Sequence, residues 1–541
     1  MWCSKVLVAY DGSTPSAKAL DLAQSIGAQD ERIELVFVHV LKLFALGTGA
    51  EGPLIEEANR VHAALQQLAE RVQEMPPEKA AEICDVPVEK IYAAARMYAQ
   101  AKPAAIQWGL AADQKTDGMQ NGQVTVDLMA ITGNLDVPGG QILPGTGAGH
   151  NESGFGFEKG VGEELQKKMI GLDQYPAYCM IILNAHADLM LHALETGDPY
   201  PIKMGFYAGN NLMSCTSMEP KRWHDAIVKS LEFCIGFDTF MNPSIEASCD
   251  IFLPLSTVAE REGTVFTHYA PCTVTAGFMH KAIEVGETMT DFELCYELGR
   301  RLRPEVWEEF DTAKEFMEAL RLGRREQGRY FDEVSKNVVC QIPVDYYKYE
   351  RGEMRQDGQP GFATPTGRVE LWSTGYQSLG DDPLPYYFPP KLGAEARPDL
   401  AKEYPLMCTT GARYFASFHS EHRQIPSLRQ LTPEPYLEIH PETAEKLGIK
   451  TGDEVTIENP WGSAHEIAKV TPIVRKDVVG AAHGWWYPEE DGEEPNLYGV
   501  WKSNVNSLIP HRVLGKMGFG APYKQVPVKV YRTPNEERVL G

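Results

Sequence analysis

The sequence has no excess of positive charge: 51 lysines and arginines face 75 aspartates and glutamates, a net charge of −24 over 541 residues. Nonspecific grip on a polyphosphate backbone needs a basic face, so nucleic acid is excluded as a partner, while local basic pockets for small anions stay open. No apolar run approaches the roughly 18 residues of a membrane helix, which excludes a direct membrane span. Cysteine is sparse, 10 in the chain, and the closest two, Cys234 and Cys249, are fifteen residues apart. There is therefore no local C-x-x-C pair for zinc or an iron–sulfur cluster, and reduced, buried thiols are expected. The opening MWCSKVLVAYDGS has no charged region followed by an apolar stretch and a small-residue cleavage site, so a cytoplasmic location is expected. What is present, 43% hydrophobic and 23% charged residues, is the balance of a globular protein, and the length predicts several domains.

The chain begins with one well-defined unit. Lys5 to Tyr10 and Arg32 to Leu41 are β-branched apolar runs, and between them Ser16 to Ile26 has helical character, with Ser13 or Thr14 as cap, Pro15 in the first turn and Gly27 at the close. This predicts a βαβ unit of a parallel sheet, with Asp11 and Gly12 just past the first strand, where open α/β sheets bind ligands. Asp11 is read either as a ligand contact or as a helix cap. The arrangement VAYDGSTPSAKALDLA…ELVFVHVL, with an amphipathic stretch Leu54 to Val72, resembles the start of the universal stress protein family, in which that Asp faces an adenine nucleotide. The family's later glycine-rich phosphate segment is not found. Met75-Pro76-Pro77 marks a boundary.

From Pro77 onward the pattern stays α/β. Two short helices are expected over Pro77 to Ala101, separated at Val86-Pro87-Val88, then a strand Ala104 to Trp108 and a helix from about Gln120 to Thr132. Strands are expected at Cys179 to Asn184, Ile202 to Ala208, Leu231 to Gly236 and Ile251 to Leu255. The turn Gly209-Asn210-Asn211 can offer backbone N–H groups to a phosphate, and Asp238 can accept from a ribose or a guanine edge; both also read as ordinary turn residues. Gly145 to Gly162 holds seven glycines without a Walker Gly-Lys-Ser/Thr ending and reads as a surface loop, either beside a ligand or as a plain connection. Residues 321–400, rich in charge, Tyr and Pro, are expected to form a long connection with little regular structure.

The last part alternates in short strands at Tyr436 to His440, Glu454 to Asn459, His465 to Thr471 and Val478 to His483. The helix Pro441 to Leu447, closed by Gly448, falls among them, and together they predict a small β-barrel. His419 and His422 are better read as hydrogen-bonding or solvated histidines than as a zinc pair, since no third ligand has fitting spacing. Arg413, after a glycine turn, suits a bidentate anion contact or a surface salt bridge.

Several runs then read together: Ile131-Thr132-Gly133-Asn134-Leu135-Asp136-Val137-Pro138-Gly139-Gly140, Gly209-Asn210-Asn211, Asp250 to Pro254 with Glu260 and Gly263, Thr410-Gly411-Ala412-Arg413, and Ala482-His483-Gly484-Trp485-Trp486. In this order they closely resemble the molybdopterin oxidoreductases of the dimethyl sulfoxide reductase superfamily over about residues 76–533. The nearest branch is the one with acetylene hydratase, pyrogallol transhydroxylase and related dehydroxylases. The resemblance implies α/β, parallel-sheet nucleotide-binding domains followed by a C-terminal β-barrel, and a molybdenum bis(molybdopterin guanine dinucleotide) cofactor. Gly209, Asn210, Asn211 and Asp238 would serve one nucleotide end. Gly411, Arg413, His419 and Ser420 would line pterin and pyrophosphate, and Asn504 would reach the second cofactor. The implied boundaries are 1–75 for the stress-protein-like unit, 76–140 and 141–330 for two α/β molybdopterin domains, 331–400 for the connection and 401–541 for the barrel.

The family also carries a four-iron cluster on an N-terminal cysteine motif and presents a protein ligand to molybdenum. Neither is in this sequence, so the chain reads as the C-terminal three fifths of a molybdoenzyme behind an unrelated start, and no catalytic residue or metal ligand is assigned. The expected function is redox, oxygen-transfer or hydroxyl-transfer chemistry on a small-molecule substrate, with an iron–sulfur electron-transfer subunit as partner. The alternative is a noncatalytic nucleotide-binding stress-response module.

Overall fold

The structure is a computed structural model that describes residues 5–9, 34–38, 63–143, 162–266, 275–316, 335–336, 339–341, 345–411 and 414–540. Asp11, Gly12, the stretch Ser16 to Ile26, most of the glycine-rich segment before Gly162, and Arg413 lie outside the described residues. The chain divides into two compact units, residues 1–108, 120–148 and 343–387 in one and 109–119, 149–342 and 388–541 in the other.

In the first unit β1 (Lys5–Ala9) and β2 (Glu34–Val38) pair in parallel, with Lys5 opposite Glu34. Helix α1 (Pro77–Cys84) has proline in its first turn and stops at Asp85 in the left-handed region, and α2 (Val88–Gln100) restarts after Pro87, as the proline spacing requires. Helix α3 (Gly118–Ile131) buries a mostly polar face, Gln120, Gln123, Asp127 and Met129. Gln123 Nε2 donates to the Pro383 carbonyl at 2.7 Å and Gln120 Nε2 to Asp381 Oδ2 at 3.4 Å. The Asn134 to Gly140 run forms a turn that is buried from Asn134 to Asp136: Asp136, fully buried with φ +54°, accepts from the Lys348 N–H at 2.7 Å and pairs with the Lys348 ammonium.

One expectation is corrected here. Ala104 to Trp108 is not a strand. The Ala104 N–H donates to Asn134 Oδ1 at 3.1 Å rather than to a neighbouring strand. An extended apolar stretch becomes a strand only where a second backbone offers a ladder.

In the second unit a second correction falls on Cys179 to Asn184, which is not a strand but part of helix α4 (Pro176–Ile182), with Pro176 at its first position, Ala177 and Cys179 buried, and Leu183 at φ +58° ending it. A short apolar run has no periodicity to separate the two states, and the proline with preset φ tips it to helix. Helix α5 (Ala187–Thr196) follows. Strands β3 (Met204–Ala208), β4 (Phe233–Asp238) and β5 (Ile251–Pro254) form a three-stranded parallel sheet, in which Phe206 pairs with Ile235 and Ile235 with Ile251. Helices α6 (Pro220–Ser230) and α7 (Pro243–Ser248) connect them, and Leu191, Leu194, Met213, Trp223, Ala226 and Ile227 form the core. Strands β6 (Gly263–Phe266), β7 (Thr275–Met279) and β8 (Val339–Gln341) make a separate antiparallel sheet, and α8 (Asp291–Leu302) starts in a capping box between Thr290 and Glu293.

The barrel is closed and six-stranded: β9 (Leu406–Thr410), β10 (Tyr436–Ile439), β11 (Glu454–Asn459), β12 (Gly462–Val470), β13 (Val478–Ala481) and β14 (Val526–Arg532), in the order β10-β12-β11-β14-β9-β13. Helix α9 (Pro441–Leu447) ends at Gly448 with φ +66°. Val455, Ile457, Ala464, Ala468 and Val479 alternate inward and are fully buried. Each such branched aliphatic contributes about 1.5–3 kcal/mol on leaving water. The described residues within 331–400 carry β8, the short helix Thr374–Ser378 and the start of the helix Pro398–Glu403. Among the described residues no single helix is long and apolar enough to cross a membrane.

Candidate functional site

The carboxyl ends of β3 and β4 place the first cluster. β3 ends at Gly209, which has φ +57° and whose N–H donates to the Phe237 carbonyl at 2.8 Å, so the chain turns sharply toward β4. Asn210 and Asn211 then lead into a π-helical turn, Leu212–Thr216. At the end of β4, Asp238 Oδ1 accepts from the Thr239 N–H at 2.6 Å and Oδ2 from Asn242 Nδ2 at 3.0 Å; burial nevertheless raises its carboxyl above the ordinary range. Asn242 caps α7 through the Ser244 and Ile245 N–H groups. The Ser244 hydroxyl donates to Asn211 Oδ1 at 2.9 Å and accepts from the Met213 N–H at 2.8 Å.

The barrel supplies the second cluster. Gly411 follows β9 at φ +97°, a backbone conformation that favours glycine, and the Lys524 ammonium beside it bonds the Thr410 carbonyl. His419, at φ +53°, places its Nδ1 2.8 Å from His483 Nε2, and the Ser420 carbonyl accepts from Trp486 Nε1 at 2.9 Å. His422 is half-buried and turns to Glu421, 3.9 Å away. Arg423 is 3% exposed, stacks 4.4 Å over the Trp485 ring and gives Nη1 to the His419 carbonyl at 2.7 Å. Its Nε and Nη2, together with Trp485 Nε1 and Ser214 Oγ, are buried without a hydrogen-bond partner among the described residues. Burial and then Arg429 lower the Arg423 guanidinium to about 10, and burial raises the Cys215 thiol, in the turn after β3, to about 11 despite the pull of Arg423.

The two clusters belong together. Asn504 Nδ2 donates to the Met213 carbonyl at 2.6 Å, and Asn506 Nδ2 donates to the Cys215 and Ser217 carbonyls at 2.7 and 2.9 Å, so the barrel loop clamps the turn after β3. Asn504 Oδ1 accepts from the Asn506 N–H, which commits that side chain to holding the turn. Glu421, whose carboxyl is raised by burial and then further by Asp238, lies toward the end of β4, and Gln424 Nε2 donates to the Met241 carbonyl at 3.4 Å. The structure thus gathers Gly209, Asn210, Asn211 and Asp238 against the segment carrying His419 and Ser420. Sequence reasoning missed Arg423, Asn242, Ser244 and Lys524. The signal for Arg423 was its place directly after the His419 to His422 run; for Lys524 there was none short of the fold.

A desolvated guanidinium with two unused donors is expensive unless an anionic or strongly accepting group meets it. The rest of the two clusters, with glycine turns, paired histidines and a strand-end carboxylate, suits a phosphate-bearing heterocycle. Among the described residues no group of three metal-ligating side chains comes together.

Comparison with known proteins bears on the same residues. The family described as "Molydopterin dinucleotide binding domain" matches residues 406–527. Dopamine dehydroxylase of Eggerthella lenta is 30% identical over 552 aligned residues, covering 86% of this chain and 52% of that protein. Acetylene hydratase of Syntrophotalea acetylenica is 28% identical, covering 79% and 60%. Dimethyl sulfoxide reductase DmsA of Escherichia coli K12 is 30% identical, covering 76% and 52%. The chain therefore spans about half the length of the curated relatives it matches. The solved structure of acetylene hydratase from Pelobacter acetylenicus aligns with a TM-score of 0.77 at 22% identity, over 98% of this chain and 78% of that one, which places the fold.

Proposed function

Because the chain belongs to the dimethyl sulfoxide reductase family of molybdopterin oxidoreductases, we propose that the β3, β4 and barrel-loop site holds the dinucleotide arms of a molybdenum bis(molybdopterin guanine dinucleotide) and serves an oxidoreductase. The observation that carries this reading is Arg423, a buried cation with unused donors beside the turn after β3, inside the stretch that matches the dinucleotide-binding domain. Arg423 would neutralise a pyrophosphate oxygen, with His419, Ser420 and the Gly411 turn around it. Asp238, as an acceptor at a strand end, would take N–H donors from a guanine edge. Asn504 would act by holding the turn.

When bound, the cofactor supplies two-electron redox, oxygen-transfer or hydroxyl-transfer chemistry. The relatives' names cover dehydroxylation, hydration and sulfoxide reduction. A small-molecule substrate is proposed for this chain on that basis, and an iron–sulfur electron-transfer subunit on the resemblance of its sequence to the family. The test is metal and pterin analysis of protein purified from a host that makes the cofactor. Molybdenum with acid-released fluorescent pterin, both reduced in Asp238→Ala and Arg423→Gln, is the expected result; wild-type protein free of metal and pterin overturns the proposal.

A further inference from the structure

Cys234 and Cys249 take no part in the site above, and the fold brings them together. Cys234, the second residue of β4, is 1% exposed; Cys249 follows α7 and is half-buried. The Asp250 N–H donates to the Cys234 carbonyl at 2.8 Å and the Cys234 N–H to Asp250 Oδ2 at 2.7 Å, so the chain beside Cys249 is fixed against β4. The sulfurs lie 3.6 Å apart. Cys249 reaches the Cys234 face of the sheet from the segment after α7, before β5 begins at Ile251, and that separation of two unbonded sulfurs leaves only a small approach for a bond to form.

Glycines provide the room. A Cβ on Gly205, which pairs with Cys234 across the sheet, would stand 3.0 Å from the Cys234 sulfur, and one on Gly236 would stand 3.1 Å from the Cys249 sulfur and 2.9 Å from Ile245. Both sulfurs sit over a floor that larger residues would close. At a separation of 3.6 Å one proton can lie between the two sulfurs, and either thiol can donate it to the other.

We propose that Cys234 and Cys249 form a thiol–disulfide site, closed by a soluble low-molecular-weight disulfide such as oxidised glutathione. Cys249, the accessible sulfur, gives up its proton and attacks one sulfur of RS–SR; a Cys249–S–SR bond forms and RS⁻ leaves. The Cys234 thiolate then attacks the Cys249 sulfur, the bond to SR breaks, and a second RS⁻ leaves. The two cysteine protons end on two RSH, and the pair has lost two electrons to the reagent. Because α7 is capped by Asn242, which with Ser244 holds Asp238 and Asn211, and is followed directly by Cys249, the bond ties the far end of that helix to β4.

The test uses the full chain under nondenaturing conditions: incubation with excess oxidised glutathione, alkylation of remaining thiols, digestion and peptide mapping by mass spectrometry, which reads the site independently of any cofactor. A peptide pair joined through Cys234 and Cys249, released by dithiothreitol, is the expected result. Cys234→Ser is expected to stop at a glutathione adduct on Cys249, and Cys249→Ser to give neither crosslink nor adduct at Cys234. Wild-type protein in which both thiols are still alkylated, or in which an adduct on Cys249 persists unresolved, overturns the proposal whatever the variants do.

Discussion

Arg423 concentrates the chemistry of the site in one side chain. A buried guanidinium with unused donors costs the fold more than it returns unless a ligand completes it. Arg423→Met is therefore expected to leave the melting temperature of cofactor-free protein unchanged or higher, while cutting retained molybdenum by about tenfold, the order of a lost charge-assisted hydrogen bond. Thermal melts and metal analysis of the same preparation check both halves. Asp127 on α3 is a different case: burial raises its carboxyl from 3.8 to about 7, so the folded state holds that proton more tightly than the unfolded state does. Its contribution to stability is full below about pH 4 and is lost as pH rises through about 7. Asp127→Asn, fixed in the neutral form, is expected to flatten urea-unfolding stability across that window; a slope equal to the wild type's contradicts the assignment. At this scale Gly209, Asp238 and Gly411 were legible, because a strand end and a glycine turn are local patterns. Arg423 was not, because burial and unused donors are properties of the folded surroundings.

Among the elements, α7 and the barrel loop hold the turn after β3. Asn242→Ala removes a cap that accepts from the Ser244 and Ile245 N–H groups and a donor to Asp238, with an expected loss of about 1–2 kcal/mol. Asn504→Ala strips the Met213 carbonyl and the Asn506 N–H of buried partners, with an expected loss of about 1–3 kcal/mol. Denaturant unfolding measures both, and a change under a few tenths of a kcal/mol for Asn504→Ala argues that the clamp is not a stabilising contact. The two misread elements, Ala104 to Trp108 and Cys179 to Asn184, have different causes: the first is an extended run without a strand to pair with, and the second is an apolar run too short to carry a period that distinguishes strand from helix. Pro176 and the Asn134 amide decided them.

For the whole molecule, the closed barrel is where backbone pairing and apolar burial coincide. The strands β11, β12 and β14 are expected to show the slowest amide hydrogen exchange among the described residues, with α1 and α2, which have no fully buried residue, exchanging much sooner. Ile457→Ala, at a position with no exposed surface, is expected to cost about 2–5 kcal/mol and to speed exchange throughout the barrel. Exchange measured by mass spectrometry that shows α1 as protected as β11 would reverse this ranking. By itself the sequence determined the four barrel strands that alternate, α9 with its glycine stop, and the strand-end turns, because each depends on residues a few positions apart. Only the tertiary structure decided that β9 and β14 close the barrel, that Asn504 and Asn506 reach back to the turn after β3, that Arg423 is buried with donors unused, and that Cys234 and Cys249 meet. Those contacts join segments distant along the chain or across a sheet, and their energy arises from removing particular groups from water, which no local pattern of residues records.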